Sequence, residues 1–350
     1  MRRDELEAKV RGGEVVSGVD LTGADLEGAE LAGGIFEGVR FTNARLAACR
    51  LDESVLLRCD LAGADLGGAS LHHTSFEGGS LAGARLEGAY LGLAKLHDVD
   101  LAGVDLAEAN LVGAALLASD LGRARITRAS LDRALILDPK SLDGLDLEGS
   151  HLRQTTISKG DMTRVRLAGA TVELAVLGGC KLAGMDLRGM DLTLTQLMEA
   201  DLSGADLTGA TLAKCNFKGA DLRGAKLDGT ACEGALFVEA KLAGASLRKA
   251  ALRQSVFIEA DLAAADLAGA DLRECVLARA SCTRARFVEA DLTYADLSHA
   301  DVSGAAFAGA KLFRARFHRA KDDGAVFTER AAALGDDPAL AEAERFRPTY

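Results

Sequence analysis

The side chains able to do chemistry in this 350-residue chain are seven cysteines, six histidines and a large population of carboxylates. Cys49, Cys59, Cys180, Cys215, Cys232, Cys275 and Cys282 contain no C-x-x-C pair, the spacing at which two thiolates share a metal or cycle as a redox couple. An odd thiol count without a secretory signal fits a reducing compartment. His72, His73, His97, His151, His299 and His318 are scattered, and no Ser-His-Asp or Cys-His set is assembled around them. No G-x-x-x-x-G-K-[ST] loop is present to cradle a phosphate. The carboxylates recur so regularly that no pair stands out as a general acid and base.

Whether any of these groups converge depends on the elements that carry them, and a period sets those elements. From Leu21 an apolar residue returns every fifth position, through Leu26, Leu31, Phe36, Phe41 and Leu46, as far as Ile136. One step of six leads to Leu142, and the five-residue step then resumes to Phe317. Two residues before each centre stands a small side chain, as at Ala24, Ala64, Ala205, Ala220 and Ala290, and the residue just before it is commonly Asp. A period of five suits neither a helix nor a continuous strand, whose side chains repeat every 3.6 and 2.0 residues. It suits a chain that turns a corner every five residues. The large and small members then point inward and the other three face water.

The units Ala24-Asp25-Leu26, Ala64-Asp65-Leu66, Ala205-Asp206-Leu207 and Ala265-Asp266-Leu267 resemble the pentapeptide-repeat family, whose motif reads A(D/N)LXX. The resemblance covers residues 21 to 317. It implies an all-β solenoid, a right-handed quadrilateral parallel β-helix with four pentapeptides per coil. Four per coil is also testable within the sequence, because residues 20 apart should then be neighbours. On the second face the residue before the centre reads Asp25, Arg45, Asp65, Arg85, Asp105, Arg125, Asp146, Arg166, Asp186, alternating in sign throughout. A 15-residue period gives no such order. Phe217, Phe237 and Phe257 form a second ladder at the 20-residue spacing. Roughly 60 pentapeptides make about 15 coils, a rod ~72 Å long at the usual strand spacing. A bore that narrow explains 4% aromatics and no Trp.

The expected organisation is an N-terminal helical cap over 1–15, the repeat β-helix over 16–327 with a one-residue bulge near 137–141, and a C-terminal helical cap and tail over 328–350. Residues 4 to 11 read as a short helix with Asp4 as N-cap and Gly12-Gly13 as its stop. Asp337-Pro338 opens a second helix running to about Phe346. In this register all seven cysteines occupy core positions, where the residue is a small hydrophobe. The histidines sit outward and no three histidines meet on a metal; His299 and His318 share one face on adjacent coils, where a solvated face is the favoured reading and a metal pair the lesser one. No catalytic, cofactor or metal site is expected, and the protein reads as non-enzymatic. The net charge of −11 opposes direct nucleic-acid binding. No apolar run is long enough for a membrane span, and the expected location is cytoplasmic.

The outward positions point to a partner. On the fourth face, whose centres begin at Phe36, the flanking residues are apolar where other faces place charges. One patch gathers Val55, Leu57, Leu117, Leu135 and Leu137, and another gathers Leu236, Val238, Val256, Ile258 and Val276. Contiguous exposed apolar surface marks an interaction site, with a protein partner or a second copy of the chain. An alternative surface is acidic: the first face carries Asp20, Asp60, Asp100, Asp120, Asp161, Asp201, Asp221, Asp261 and Asp301, against Arg40, Lys181 and Lys241. The resemblance implies a use for it, since some members of the family mimic B-DNA, bind DNA gyrase or other type II topoisomerases and confer quinolone resistance. Duplex DNA over ~72 Å would carry about 42 charges on the same basis, far more than this chain's net value. The resemblance further implies a possible accessory role in bacterial secretion machines such as the type VI spike.

Overall fold

A computed structural model describes residues 1–344 of the chain. The chain forms two compact units, Met1–Lys181 and Leu182–Tyr350. Each is a parallel β-solenoid with helices confined to the terminal regions, and the turns of the two number about 16. The count exceeds the repeat-based figure of 15 because pairing extends beyond the outermost five-residue centres at both chain ends.

The first unit opens with helix α1, Arg3–Arg11. Its cap is Arg2 rather than Asp4: the Arg2 backbone N–H donates to the Glu5 carboxylate at 3.1 Å, which places Asp4 inside the first turn. Gly12 ends the helix and Gly13 takes a φ of 69°. Leu6 and Val10 are buried. Arg3 reaches across to the Glu27 and Gly28 carbonyls, 2.7 Å each. Eight three-residue strands follow on the fourth face, β1 to β8: Val15–Ser17, Ile35–Glu37, Val55–Leu57, Ser75–Glu77, Lys95–His97, Ala115–Leu117, Leu135–Leu137 and Thr156–Ser158. They pair in parallel and in chain order. The other faces pair through single rungs, such as Asp20↔Arg40, Asp25↔Arg45 and Glu30↔Arg50. Four rungs therefore complete one 20-residue coil.

The corners explain the period. Ala24 N–H donates to Leu21 O at 3.0 Å, closing a β-turn whose third residue, Gly23, has φ 64°. A positive φ at that place belongs to a type II turn and favours glycine. Where glycine is missing, the site holds Asn43, Glu53, Arg58, Leu93 or other residues without a branch at Cβ, all with positive φ. No Val, Ile or Thr stands among the non-glycine residues of positive φ, because β-branching is strained there. Backbone bonds stitch successive coils: Arg45 N–H donates to Ala24 O at 2.9 Å, and Leu26 N–H to Arg45 O at 2.8 Å.

Inside, Leu and Phe centres pack against the small residues two positions earlier, and both sets are buried. The small class is a matter of space as well as polarity. At Gly79 a Cβ would stand 2.1 Å from Cys59 O. Hydroxyls at these positions are buried but satisfied: Ser54 and Thr74 donate to Leu31 O and Leu51 O of the preceding coil at 2.9 and 2.7 Å. The extra residue near Pro139 changes the pairing offset to 21, as in Asp120↔Ser141 and Arg125↔Asp146, and the offset returns to 20 at Asp146↔Arg166. The insertion is absorbed at one corner without disturbing the stack.

In the second unit the same ladders run through Leu236↔Val256↔Val276 and Asp271↔Asp291↔Lys311. Strand β9, Ala306–Phe307, pairs with β10, Val326–Phe327. Beyond this the 20-residue phase breaks, and Leu334 pairs with Arg316. A 3-10 turn at Arg330–Ala332 holds the Arg330 guanidinium 4.4 Å from the centre of the Phe317 ring. Helix α2, Pro338–Ala343, is capped by the Asp337 carboxylate, which accepts from the Ala339 and Leu340 N–H groups at 3.0 and 3.1 Å. The helix was expected to reach about Phe346; that residue lies outside the described ones.

Candidate partner-binding face and C-terminal cavity

The fourth face is positioned by its inward members. Phe217, Phe237 and Phe257 stack with centroid separations of 4.9 and 4.7 Å and nearly parallel planes. Their alternation with outward neighbours places Leu236, Val256 and Val276 on three consecutive rungs. Leu236 is 38% exposed, while Val238, Val256, Ile258 and Val276 are half-buried on the outer surface. The second predicted patch is thus one continuous ladder.

The first patch is not continuous. Val55 pairs with Ser75, Ser75 with Lys95, and Lys95 with Ala115, before Leu135 is reached. Glu77 and His97 likewise separate Leu57 from Leu117, and a 3.3 Å contact joins them. The structure therefore leaves Val55 and Leu57 next to Ile35, and brings Leu117, Leu135 and Leu137 together as a separate group.

Each aspartate of the acidic face is engaged by its own turn. Thr22, Ala62, Ala102, Gly122, Thr163, Ser203, Arg223, Ala263 and Ser303 donate their backbone N–H groups to Asp20, Asp60, Asp100, Asp120, Asp161, Asp201, Asp221, Asp261 and Asp301, at 2.8 to 3.2 Å. Cations add to this at Asp20, where Arg40 lies 2.6 Å away, and at Asp221, where Arg223 lies 2.5 Å away. The hydroxyls of Thr22 and Thr163 hold Asp20 and Asp161 below the ordinary carboxylate range. Most of these side chains are half-buried. They do local structural work before they present any charge.

All seven cysteines are free and buried. Burial pushes Cys49, Cys215, Cys232, Cys275 and Cys282 up to about 12 and Cys180 to about 11. The thiols of Cys59, Cys180, Cys215 and Cys275 donate to carbonyls of the preceding coil, as in Cys275 to Leu252 O at 2.8 Å. A thiol so far from its thiolate is neither a nucleophile nor a soft metal ligand near neutral pH.

A cavity of about 870 Å3 lies in the second unit between the fourth face and the segment around α2. Ile258 and Ala278 line its floor side, Leu334, Pro338 and Leu340 the segment side, and His299 with His318 one end. The outward placement expected for His318 is corrected here: the residue is 2% exposed, covered by the returning C-terminal segment. Its Nδ1 accepts the Asp337 N–H at 3.0 Å. Glu344 stands over the pair, with Oε1 3.0 Å from His299 Nε2 and Oε2 2.6 Å from Arg319 Nη1. The His299 hydrogen bond first, and then the Arg319 charge, hold Glu344 below its usual range. Sequence reasoning paired the two histidines but had no signal for Glu344, which lies beyond the repeat.

No helix among the described residues is long and apolar enough to cross a membrane. The family model for pentapeptide repeats matches in eight copies, over residues 20–56, 40–78, 54–92, 94–133, 175–212, 215–254, 255–293 and 290–328. Residues 134–174, which hold the bulge, fall between two matches. No curated relative matches the chain. Among solved structures, it is 34% identical to the pentapeptide repeat protein Rfr23 from the cyanobacterium Cyanothece 51142, over 24% of this chain and 56% of that one, with a TM-score of 0.24. HetL, a pentapeptide repeat protein involved in heterocyst differentiation regulation from Nostoc sp. strain PCC 7120, is 24% identical over 88% of this chain and 98% of its own, with a TM-score of 0.19. QnrB1, a plasmid-mediated fluoroquinolone resistance protein, is 18% identical over 61% and 99%, with a TM-score of 0.27.

Proposed function

The chain belongs to the pentapeptide-repeat family, and from that premise we propose that it is a non-enzymatic scaffold that docks a protein partner along the fourth face of its second unit. The observation that carries this reading is the unbroken outward ladder of Leu236, Val256 and Val276, flanked by Val238 and Ile258. Three rungs at ~4.8 Å give a strip about 10 Å long between its end strands. A stable dimer covers roughly 800 Å2 on each partner. So small a patch fits an apolar stripe on another polypeptide better than a second copy of this chain. Buried, protonated thiols and aspartates tied up in turns support a role without catalysis. The free thiols also suit a reducing, cytoplasmic setting.

Two substitutions test the docking face. Leu236→Lys combined with Val256→Lys places charges on the ladder but leaves the core intact. A photo-crosslinker at position 276 should capture a discrete partner in the native protein and lose it in the double variant. A crosslinker at Ser246, on the second face, should capture none. Equal capture from both positions, or capture insensitive to the lysines, would overturn the proposal. A homodimer seen by light scattering and broken by the same lysines would replace the partner with a second copy.

The acidic-face reading, in which the chain mimics DNA before a gyrase or another topoisomerase, is the weaker one. A mimic must present its charge, and these aspartates spend theirs on turn N–H groups and neighbouring cations. Unimpaired gyrase supercoiling with the protein titrated in would remove it. The secretion-apparatus reading draws on no particular residue of the chain.

A further inference from the structure

Apart from the docking ladder, one cluster in the second unit has ligating chemistry that the scaffold reading leaves unused. One ring nitrogen each of His299 and His318 and a carboxylate oxygen of Glu344 all lie within 4.8 Å of one another. His299 Nε2 lies 3.0 Å from Glu344 Oε1, and His318 Nε2 lies 3.5 Å from Oε2 of the same carboxylate. Ligand atoms placed tetrahedrally about zinc at 2.0–2.1 Å stand roughly 3.3 Å from each other. The cluster is therefore already near the size of a metal coordination shell. A second, independent observation points the same way. The His318 side chain is 3% exposed, and its Nε2 is buried without a hydrogen-bond partner, facing this cluster.

We propose that His299 Nε2, His318 Nε2 and Glu344 Oε1 bind a divalent transition metal of the zinc class, with the fourth coordination position open to the adjoining cavity. Two imidazoles with one carboxylate select such ions over magnesium or calcium, which take all-oxygen shells. Arg319 pairs with Oε2 at 2.6 Å, so Oε1 is left for the metal and the carboxylate is fixed in orientation. Asp296, Asp336 and Asp337 line the same cavity, against Arg279 and Arg316.

The proton inventory also closes. Because Nδ1 of His318 accepts the Asp337 N–H, the ring in its neutral form carries its proton on Nε2. Metal binding takes the Nε2 lone pair, so that proton is released and one is taken up at Nδ1, with no net change. The new Nδ1–H donor has an acceptor at hand in Asp336 Oδ1, 3.8 Å away, itself held by the Arg319 N–H at 2.7 Å. Loading must therefore exchange the Asp337 N–H contact for a carboxylate–histidine–metal relay. The ion would tie two successive coils to the segment after α2.

The test uses the tag-free, chelator-stripped full chain. Calorimetry with zinc, and the visible absorption of cobalt in its place, should report one ion per chain with the intense spectrum of a four-coordinate site. His299→Asn removes the ligand but tolerates the local φ of 60°, as Asn43 does at 55°. That variant and Glu344→Gln should each weaken binding at least ~10-fold. His97→Asn, on an exposed strand elsewhere, should leave it unchanged. Unchanged circular dichroism separates lost binding from unfolding. Absence of stoichiometric binding by the native chain, or binding that survives His299→Asn together with His318→Gln, overturns the proposal.

Discussion

The second face of the first unit and the fourth face of the second are built by the same ladder, yet they present opposite surfaces. On the former, Asp25, Arg45, Asp65, Arg85, Asp105, Arg125, Asp146 and Arg166 pair rung to rung. Arg45 meets Asp25 at 3.0 Å and Glu27 at 2.6 Å, and Arg166 meets Asp146 at 3.2 Å and Glu148 at 2.6 Å. Arg125 likewise pairs with Asp105, so most of these charges find an opposite within the column or beside it. On the latter, apolar residues stack on apolar residues; Leu236 stays 38% exposed, while the C-terminal segment comes over the end at Ile258 and Val276. Stacking identical in geometry thus closes one face and opens the other. The sign alternation ends in the second unit, where Asp186 pairs with Asp206; Arg188 then meets Asp186 at 2.6 Å and Lys226 meets Asp206 at 3.3 Å, with the Thr208 hydroxyl and N–H adding hydrogen bonds to Asp206.

The largest expected effect is collective and acts on the charged faces. Asp20, Asp161, Asp206, Asp221 and Asp301 are held below the ordinary carboxylate range, first by the side chain two residues ahead. Asp186 falls to about 2 beside Arg188. A depressed folded value contributes stability above the unfolded pKa and loses it as pH falls through the folded one. Denaturant midpoints should hold from neutrality to about pH 4 and then drop steeply toward pH 2. Hydrogen exchange in that window should open the Asp-bearing rungs before the Leu236–Val276 ladder. Uniform opening would erase the distinction between the faces.

Beneath the apolar face, Phe237→Ala removes the middle ring of a three-ring stack. It should cost about 3–5 kcal/mol in urea unfolding, whereas the outward Leu236→Lys and Val256→Lys pair should cost far less and change association instead. At a corner shared by both architectures, Gly68 has φ 61° and open space around its Cβ position. Gly68→Val should cost about 1–2 kcal/mol through backbone strain alone, with Gly68→Asn close to neutral by the same melt. The smallest effect belongs to the exposed charge ladder. Arg45→Glu sets like charges along one column and should lower stability by up to about 1 kcal/mol, a loss that added salt reduces.

The repeat was legible because every pentapeptide restates the same constraints. A large centre, a small partner two before it and an unbranched residue at the positive-φ corner leave one way to fold. The alternating Asp and Arg column marks the 20-residue coil in the sequence itself. Less legible was the extent of each patch, since Ser75, Glu77, Lys95 and His97 divide Val55 and Leu57 from Leu117 only once the rungs are counted in register. The burial of His318 escaped the reading altogether. In repeat register its position points outward, and the segment that covers it carries no repeat of its own.

The amino-acid order alone determined the solenoid, its four faces and the inward place of every cysteine, because local turn sterics and side-chain volume repeat identically and reinforce each other coil after coil. Tertiary structure alone decided where the chain goes after Phe327. Without the five-residue constraint the path is chosen by individual contacts: Leu334 pairs with Arg316, Asp337 meets His318, and Glu344 returns to His299. Those contacts fall off the 20-residue spacing of the coils, so the repeat could not announce them.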